Sequence, residues 1–389
     1  MIPLMKNAFI NEDETKKALA DFILGAKKLS MGEKCREFEV TFAKEQGRKE
    51  AILFNSGGSA NLAMLQALKN LGRLKDGDSV GFSALTWATN VMPIIQLGMR
   101  PVPVDCNAAT LNVMSDNLLE RLSTSNLKAL FITNALGFAG DLDKIKKICK
   151  ERDIILIEDN CEALNAEITG GKTGNFGVGA SFSFFVAHHM STIEGGIVCT
   201  DDSEFAVMLR MVRANGWDRD LSAQQQNSLR ERYAVDSEFE SKYTFYDLGF
   251  NFRPTEITGF LGLSQLKFLD KNIEKRGNNF LRIEKIVRGN DDLIAIERSH
   301  IHKLSHFATP IICKTRALRE KYMARFVDAG VEIRPMIAGN IQNQPFYKKY
   351  VKDIFDLPGT DFLQNNSFYC GNYPELTEDD LNTIINCLK

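Results

Sequence analysis

The sequence predicts an α/β fold, with a mainly parallel, doubly wound seven-stranded sheet joined to a smaller α+β part. Over the first ~200 residues short apolar runs alternate with amphipathic ones, the rhythm of successive βαβ units. Several runs are apolar on both faces, as strands covered by helices on both sides must be. The residues best suited to chemistry follow directly after these runs, at the carboxyl ends of the strands. Open sheets of this class bind their ligands there.

Taken in order, the apolar runs place strands at 51–55, 79–83, 101–105, 129–134, 154–158, 180–184 and 197–200. Amphipathic stretches place helices at 60–70 and 142–152, the second with Asp141 as N-cap and Asp143 in its first turn. From Gln224 to Lys242 the chain turns polar and charged, a helix or a mobile loop rather than core. A helical stretch runs from Pro254 through Lys271 to Arg288, with Pro254 in its first turn and Thr255 or Asn251 at its entry. The remainder mixes strands at 308–313 and 331–334 with helices at 315–329 and 378–388. The expected division is a large α/β domain over 1–260 and a small α+β domain over 261–389.

Composition narrows the function classes. The 48 basic and 50 acidic residues nearly cancel, leaving a net charge of -2, so no electrostatic case exists for nucleic acid or an anionic membrane as partner. The eight cysteines are scattered with no C-x-x-C pair, which gives zinc or an iron–sulfur cluster little support. They read as reduced thiols of a cytoplasmic protein. The first residues, Met1 to Asn7, lack the basic start and apolar run of a signal peptide. No apolar stretch approaches the ~20 residues of a membrane span.

Five segments carry chemistry. Asn55-Ser56-Gly57-Gly58-Ser59 follows a strand and opens a helix, where small residues and free N–H groups suit an anion. Read alone, it is equally a tight turn. Asp159 ends a strand and needs a partner in a buried position. Read alone, it is more ordinarily a helix cap or half of an ion pair. Ser183 ends the next strand, and His188-His189 follow, a pair able to supply a general base. Trp87, just past another strand, can stack on a flat ring or simply pack in the core. Asn251 and Arg253 precede a helix start, as an anion site or an ordinary helix entry.

In this order the motifs resemble the sugar-aminotransferase branch of fold-type I pyridoxal-phosphate enzymes, the DegT/DnrJ/EryC1/StrS family. The resemblance spans Met31-Gly32-Glu33 through Arg334-Pro335-Met336-Ile337-Ala338-Gly339-Asn340. It implies an aspartate-aminotransferase-like fold. It also implies that Gly57, Gly58, Ser59 and Ser183 contact the cofactor phosphate, Asp159 holds the pyridine nitrogen and Trp87 stacks on the ring. Glu162 would stand near the ring's oxygen, where the family usually has glutamine or histidine. Asn251 would reach the phosphate held by a neighbouring subunit, which implies a homodimer with shared active sites.

The family's cofactor-binding lysine lies six positions before the glutamate of a Glu-Gly-Gly element, and counting back from Glu194 reaches His188. No lysine lies between Lys172 and Lys242. Within the family this exchange resembles the mark of the 3-dehydratases, which remove the C3 hydroxyl of a nucleotide-linked 4-keto-6-deoxy sugar. The resemblance implies GDP-4-keto-6-deoxy-D-mannose as substrate and His188 as base, with His189 its rival. Pyridoxamine phosphate would be held non-covalently, and glutamate would restore it from pyridoxal phosphate. Arg219 and Arg334 are candidates for the substrate's anionic groups or ordinary surface charges. A related branch carries an iron–sulfur cluster on downstream cysteines; here Cys199 is followed by none until Cys313, which disfavours it. The competing expectations are a 4-aminotransferase that has lost its lysine and a non-catalytic sugar- or cofactor-binding protein.

Overall fold

The computed structural model describes residues 1–389. Seven strands form the main sheet: β1 (Glu50–Phe54), β2 (Ser79–Ser83), β3 (Arg100–Val104), β4 (Ala129–Thr133), β5 (Ile155–Asp159), β6 (Gly179–Ser183) and β7 (Gly196–Thr200). Each lies within one or two residues of its expected place. Their spatial order is β1-β7-β6-β5-β4-β2-β3. Six run parallel, and β7 alone runs against both of its neighbours, β1 and β6. Nearly every strand position is buried, because helices cover both faces.

Helices Gly57–Asn70 and Ser203–Arg213 pack on one face around Phe54, Phe82 and Phe131. On the other face, Phe182 and Phe184 meet Phe38 and Phe42 of helix Glu33–Gln46. The open edge of β1 is closed by side chains. Glu39 accepts the Leu53 N–H at 2.8 Å and Arg213 donates to the Leu53 carbonyl at 2.8 Å. The two are themselves paired at 2.6 Å, which denies the edge to another strand.

A second, antiparallel sheet is built from β8 (Leu293–Ile294), β9 (Ala308–Cys313), β10 (Ile333–Pro335) and β11 (Ser367–Gly371), in the order β8-β9-β11-β10. One hydrophobic cluster runs from Val102 and Ile132 of the main sheet to Ile312 and Leu363, so the core is continuous between the two parts. The boundary expected at 260/261 falls inside helix Glu256–Leu266.

Three local readings are corrected. Asp141 stands before helix Leu142–Glu151 but does not cap it. Its carboxylate instead accepts the N–H and hydroxyl of Ser115, at 2.7 and 2.6 Å, and so serves the start of helix Ser115–Thr124. Pro254 lies outside its helix, which begins at Glu256 with Thr255 as cap. The expected single helix from Pro254 to Arg288 is two, Glu256–Leu266 and Leu269–Arg288. The polar 224–242 stretch contains helices Ala223–Arg232 and Glu238–Ser241, capped by Ser222 and Ser237. No helix is long and apolar enough to cross a membrane.

Candidate active site

A pocket of about 460 Å³ opens at the carboxyl edge of the main sheet, within the range of small-molecule sites. Gly57, Gly58, Trp87, Asp159, Glu162, Ser183 and His188 all line it. The phosphate-like turn forms because Ser56 caps helix Gly57–Asn70, its hydroxyl accepting the Ser59 N–H at 3.0 Å. The N–H groups of Gly57 and Gly58 then open the helix without partners inside it. A Cβ at Gly57 would lie 2.7 Å from the Ser183 Cβ, so only glycine lets the turn approach β6 this closely. The same packing explains the second glycine of Glu194-Gly195-Gly196. A Cβ there would meet the Ser56 carbonyl oxygen at 2.3 Å. The turn, the end of β6 and the start of β7 therefore converge on one anion-sized recess with N–H and O–H donors. Ser59 stands behind it, its hydroxyl against that of Ser56 at 2.9 Å.

Asp159 ends β5 and is buried. It caps no helix and pairs with no lysine or arginine, which removes both ordinary readings of it. Its Oδ2 accepts the Asn61 and Asn90 carboxamides at 2.8 and 2.7 Å, and its Oδ1 accepts the Cys161 N–H at 2.9 Å. Three neutral donors hold the carboxylate in place. Trp87, 59% exposed, stands at the mouth.

Glu162 accepts the N–H of Leu136 at 2.8 Å, and Leu136 adopts φ 56° to present it. Burial pushes the Glu162 carboxyl up to about 7, with Asp159 adding to the rise. Near neutral pH it can therefore donate or accept a proton.

The histidines separate. His188 sits on the loop joining β6 to β7 and faces the pocket. Its Nδ1 lies 2.5 Å from the Cys161 carbonyl oxygen, which can only accept, so Nδ1 carries the proton and Nε2 is the free base. Burial lowers its pKa to about 4, partly opposed by the Cys161 carbonyl and Asp159, so the ring is neutral at working pH. His189 is buried on the far side, with Nε2 donating to the Ser305 carbonyl at 2.8 Å. It does not reach the pocket wall. Among the lining residues there is no lysine.

Three other expected residues lie elsewhere in this chain. Asn251 is exposed and accepts from Arg253 at 3.1 Å. Arg219 stacks over Trp217 at 5.2 Å beside a separate groove, and Arg334 is exposed and pairs with Glu332. The second sheet and the residues flanking its strands supply wall residues that sequence reading missed: Ala308, Tyr369 and Gly371 from the strands, Phe307 and Ile337 beside them. Only Ile337 left a trace, as part of the segment carrying the resemblance. Its φ of 47° is rare for a β-branched residue, and such outliers gather at functional sites.

The chain was compared with known proteins. GDP-4-keto-6-deoxy-D-mannose 3-dehydratase of Escherichia coli O55:H7 is 33% identical over 371 residues, covering 94% of this chain and 95% of the relative. A crystal structure of a GDP-4-keto-6-deoxymannose-3-dehydratase, a histidine-to-asparagine mutant with bound GDP-perosamine, superposes with a TM-score of 0.91 at 32% identity, over 100% of both chains. A second structure of that enzyme holds a trapped adduct of pyridoxal phosphate and glutamate; it gives a TM-score of 0.90 at 32% identity, again over 100% of both chains. The model of the DegT/DnrJ/EryC1/StrS aminotransferase family matches residues 10–389, which takes in the main sheet, the pocket and the second sheet alike. Sequence, fold and pocket thus agree, and the chain belongs to the DegT/DnrJ/EryC1/StrS aminotransferase family.

Proposed function

We propose that this protein is a pyridoxamine-phosphate-dependent 3-dehydratase of a nucleotide-linked 4-keto-6-deoxyhexose, with GDP-4-keto-6-deoxy-D-mannose as substrate. One observation carries the reading. A pocket fitted for a pyridoxal cofactor presents the imidazole of His188 and no lysine amine. The site fits that cofactor: N–H groups at Gly57 and Gly58 and the Ser183 hydroxyl suit its phosphate, and the Asp159 carboxylate, bonded to Asn61 and Asn90 and free of any ion pair, suits its pyridine nitrogen. Trp87 offers an indole face for the ring.

When bound, the cofactor supplies a primary amine for the C4 ketone and a ring that accepts electrons. The chain's residues do the rest. Asp159 holds the proton on the pyridine nitrogen. His188 Nε2 takes a proton at the cofactor's C4′, and Glu162, poised near neutrality, lies across the same pocket to exchange protons with the leaving hydroxyl or the ring oxygen. The imidazole of His188 has no primary amine, so it would hold pyridoxal phosphate by no covalent bond. Glutamate serves as the amino donor that restores the amine form, a role supported by the relative trapped with pyridoxal phosphate and glutamate.

The working unit is a homodimer with shared active sites in the cytoplasm. The exposure of Asn251 and of Trp87 and Phe185 at the mouth supports this, since a partner's Asn251 would complete a phosphate site that its own chain leaves without it. Arg219 and Arg334 stay candidates for the sugar nucleotide's phosphates only from the partner or after movement. An iron–sulfur cluster has no part in this reading, which rests on cysteines that form no C-x-x-C pair and on the absence of any between Cys199 and Cys313.

The test is incubation of the purified protein with pyridoxamine phosphate, glutamate and a panel of GDP-, CDP- and dTDP-linked 4-keto-6-deoxy sugars, followed by mass spectrometry. Loss of the C3 oxygen with release of ammonia is expected with the GDP sugar. Nitrogen retained at C4 would identify an aminotransferase instead, and binding of cofactor or sugar with neither reaction would leave only the non-catalytic reading. His188→Asn should abolish dehydration while pyridoxamine phosphate still binds.

A further inference from the structure

Behind the pocket lies a buried cation that hydrogen-bonds no carboxylate, although Glu375 is near enough to favour its charge. Arg276, on helix Leu269–Arg288, is 4% exposed, and burial holds its pKa down to about 10. An isolated buried charge is costly unless its donors are used. Here every partner is neutral. Nε donates to Asn272 Oδ1 at 2.9 Å, and one terminal nitrogen donates to the carbonyl of Phe307 at 2.9 Å and to that of Asn372.

Two of these contacts lead to the same place. Asn272, its oxygen fixed by Arg276, turns its NH2 to the carbonyl of His189, the residue after the proposed base. Phe307, its carbonyl held by Arg276, lays its ring 5.1 Å from the His188 imidazole. The loop carrying His188 is thus gripped through its main chain on one side and its ring on the other. The grip comes from a helix distant in sequence.

We infer that Arg276 is a positioning residue for His188, which it holds through Asn272 and Phe307. That His188 is the base rests on the function proposed above; the grip itself does not. The groups facing the imidazole divide. Asp159, behind Cys161, favours the protonated ring, whereas Arg276 and burial oppose it. Glu162, Glu194 and Tyr369 line the same pocket, and His189 and His306 lie beyond. Arg276 is the one cation within this set, and it also presses His189 towards neutrality.

The decisive measurement is the titration of His188 in the purified full-length protein, followed by deuterium uptake at its imidazole Cε1 by mass spectrometry. It needs no substrate, so it stands whether or not the protein is a dehydratase. R276M should raise the His188 midpoint and R276K should restore it towards wild type. In turnover, R276M should lower kcat about tenfold with KM for the sugar little changed, as expected of a misplaced base. A folded R276M whose His188 titrates as in wild type overturns the inference. Should R276M fail to fold, N272A decides, since it keeps the charge and cuts one arm. Faster backbone deuterium uptake over residues 185–193 is expected, and unchanged uptake overturns the inference.

Discussion

The hydroxyl of Ser181 donates to the carboxamide oxygen of Asn61 at 2.6 Å, which fixes which end of Asn61 faces Asp159. With the oxygen held, the NH2 must point at the carboxylate, where it is found at 2.8 Å. Ser181 thereby orients a donor that it does not itself supply to Asp159. Asn61→Ala should loosen the Asp159 carboxylate and so weaken its bond to the pyridine nitrogen, lowering turnover about tenfold, or about 1.4 kcal/mol. Ser181→Ala should do the same more mildly. Absorbance titration of bound pyridoxal phosphate against pH checks both; identical spectra in Asn61→Ala and wild type would count against this arrangement.

Gly57→Ala places a methyl group 2.7 Å from the Ser183 Cβ. The turn must then withdraw from β6, costing about 1–3 kcal/mol, as overpacking does. The loss should fall on the cofactor, because the withdrawn backbone is the part that faces its phosphate. Fluorescence titration with pyridoxamine phosphate should show at least tenfold weaker binding, with helix content unchanged by circular dichroism.

Glu162 sets a pH dependence of stability. Its carboxyl is raised to about 7 in the folded protein, against about 4.5 unfolded. The folded state therefore holds this proton more tightly. Its contribution is complete below about 4.5 and is lost as pH rises through 7. Glu162→Gln keeps the bond from Leu136 and never ionises. The mutant should melt above wild type at pH 8.5, by up to about 2 kcal/mol in stability, and the gap should close by pH 5. Parallel melting curves at all pH values would contradict it.

Arg213→Met leaves Glu39 as a buried, unpaired charge against Leu53, and such a loss costs about 3–5 kcal/mol. A lower melting temperature is expected, together with association at high protein concentration, because the β1 edge is then unguarded. Light scattering and thermal unfolding read the two effects. Adding Glu39→Gln should recover part of the stability.

Strands were legible because burial on both faces forces unbroken apolar runs, and residues such as Phe82 and Phe131 have no solvent side. Gly57, Asp159 and His188 were legible as candidates because each lies at or shortly after the end of such a run, and all three line the pocket. Other features were hidden for physical reasons. Nothing in an apolar run records strand direction, so the reversal of β7 left no trace. Asp141 precedes a helix and so read as its cap, whereas its partner is Ser115 of another helix. Phe307 and Tyr369 reach the pocket only because the second sheet folds back over the first, and no local pattern marks that return. Arg276 reads as one more charge on an amphipathic helix, although its side chain is among the buried ones.

The reversed direction of β7 has a consequence for how such a pocket can diversify. In a parallel pair the chain must cross the sheet through a helix before it re-enters. Between β6 and β7 it does not: Phe184 and Gly195 are already bonded at 2.9 Å where the strands meet, and the intervening loop starts and ends at the ligand edge. His188 therefore rides on a detour off the scaffold rather than on its through-route. The residue at that position can change without re-routing the main chain, so the pocket's reactive side chain can vary while the architecture stays the same.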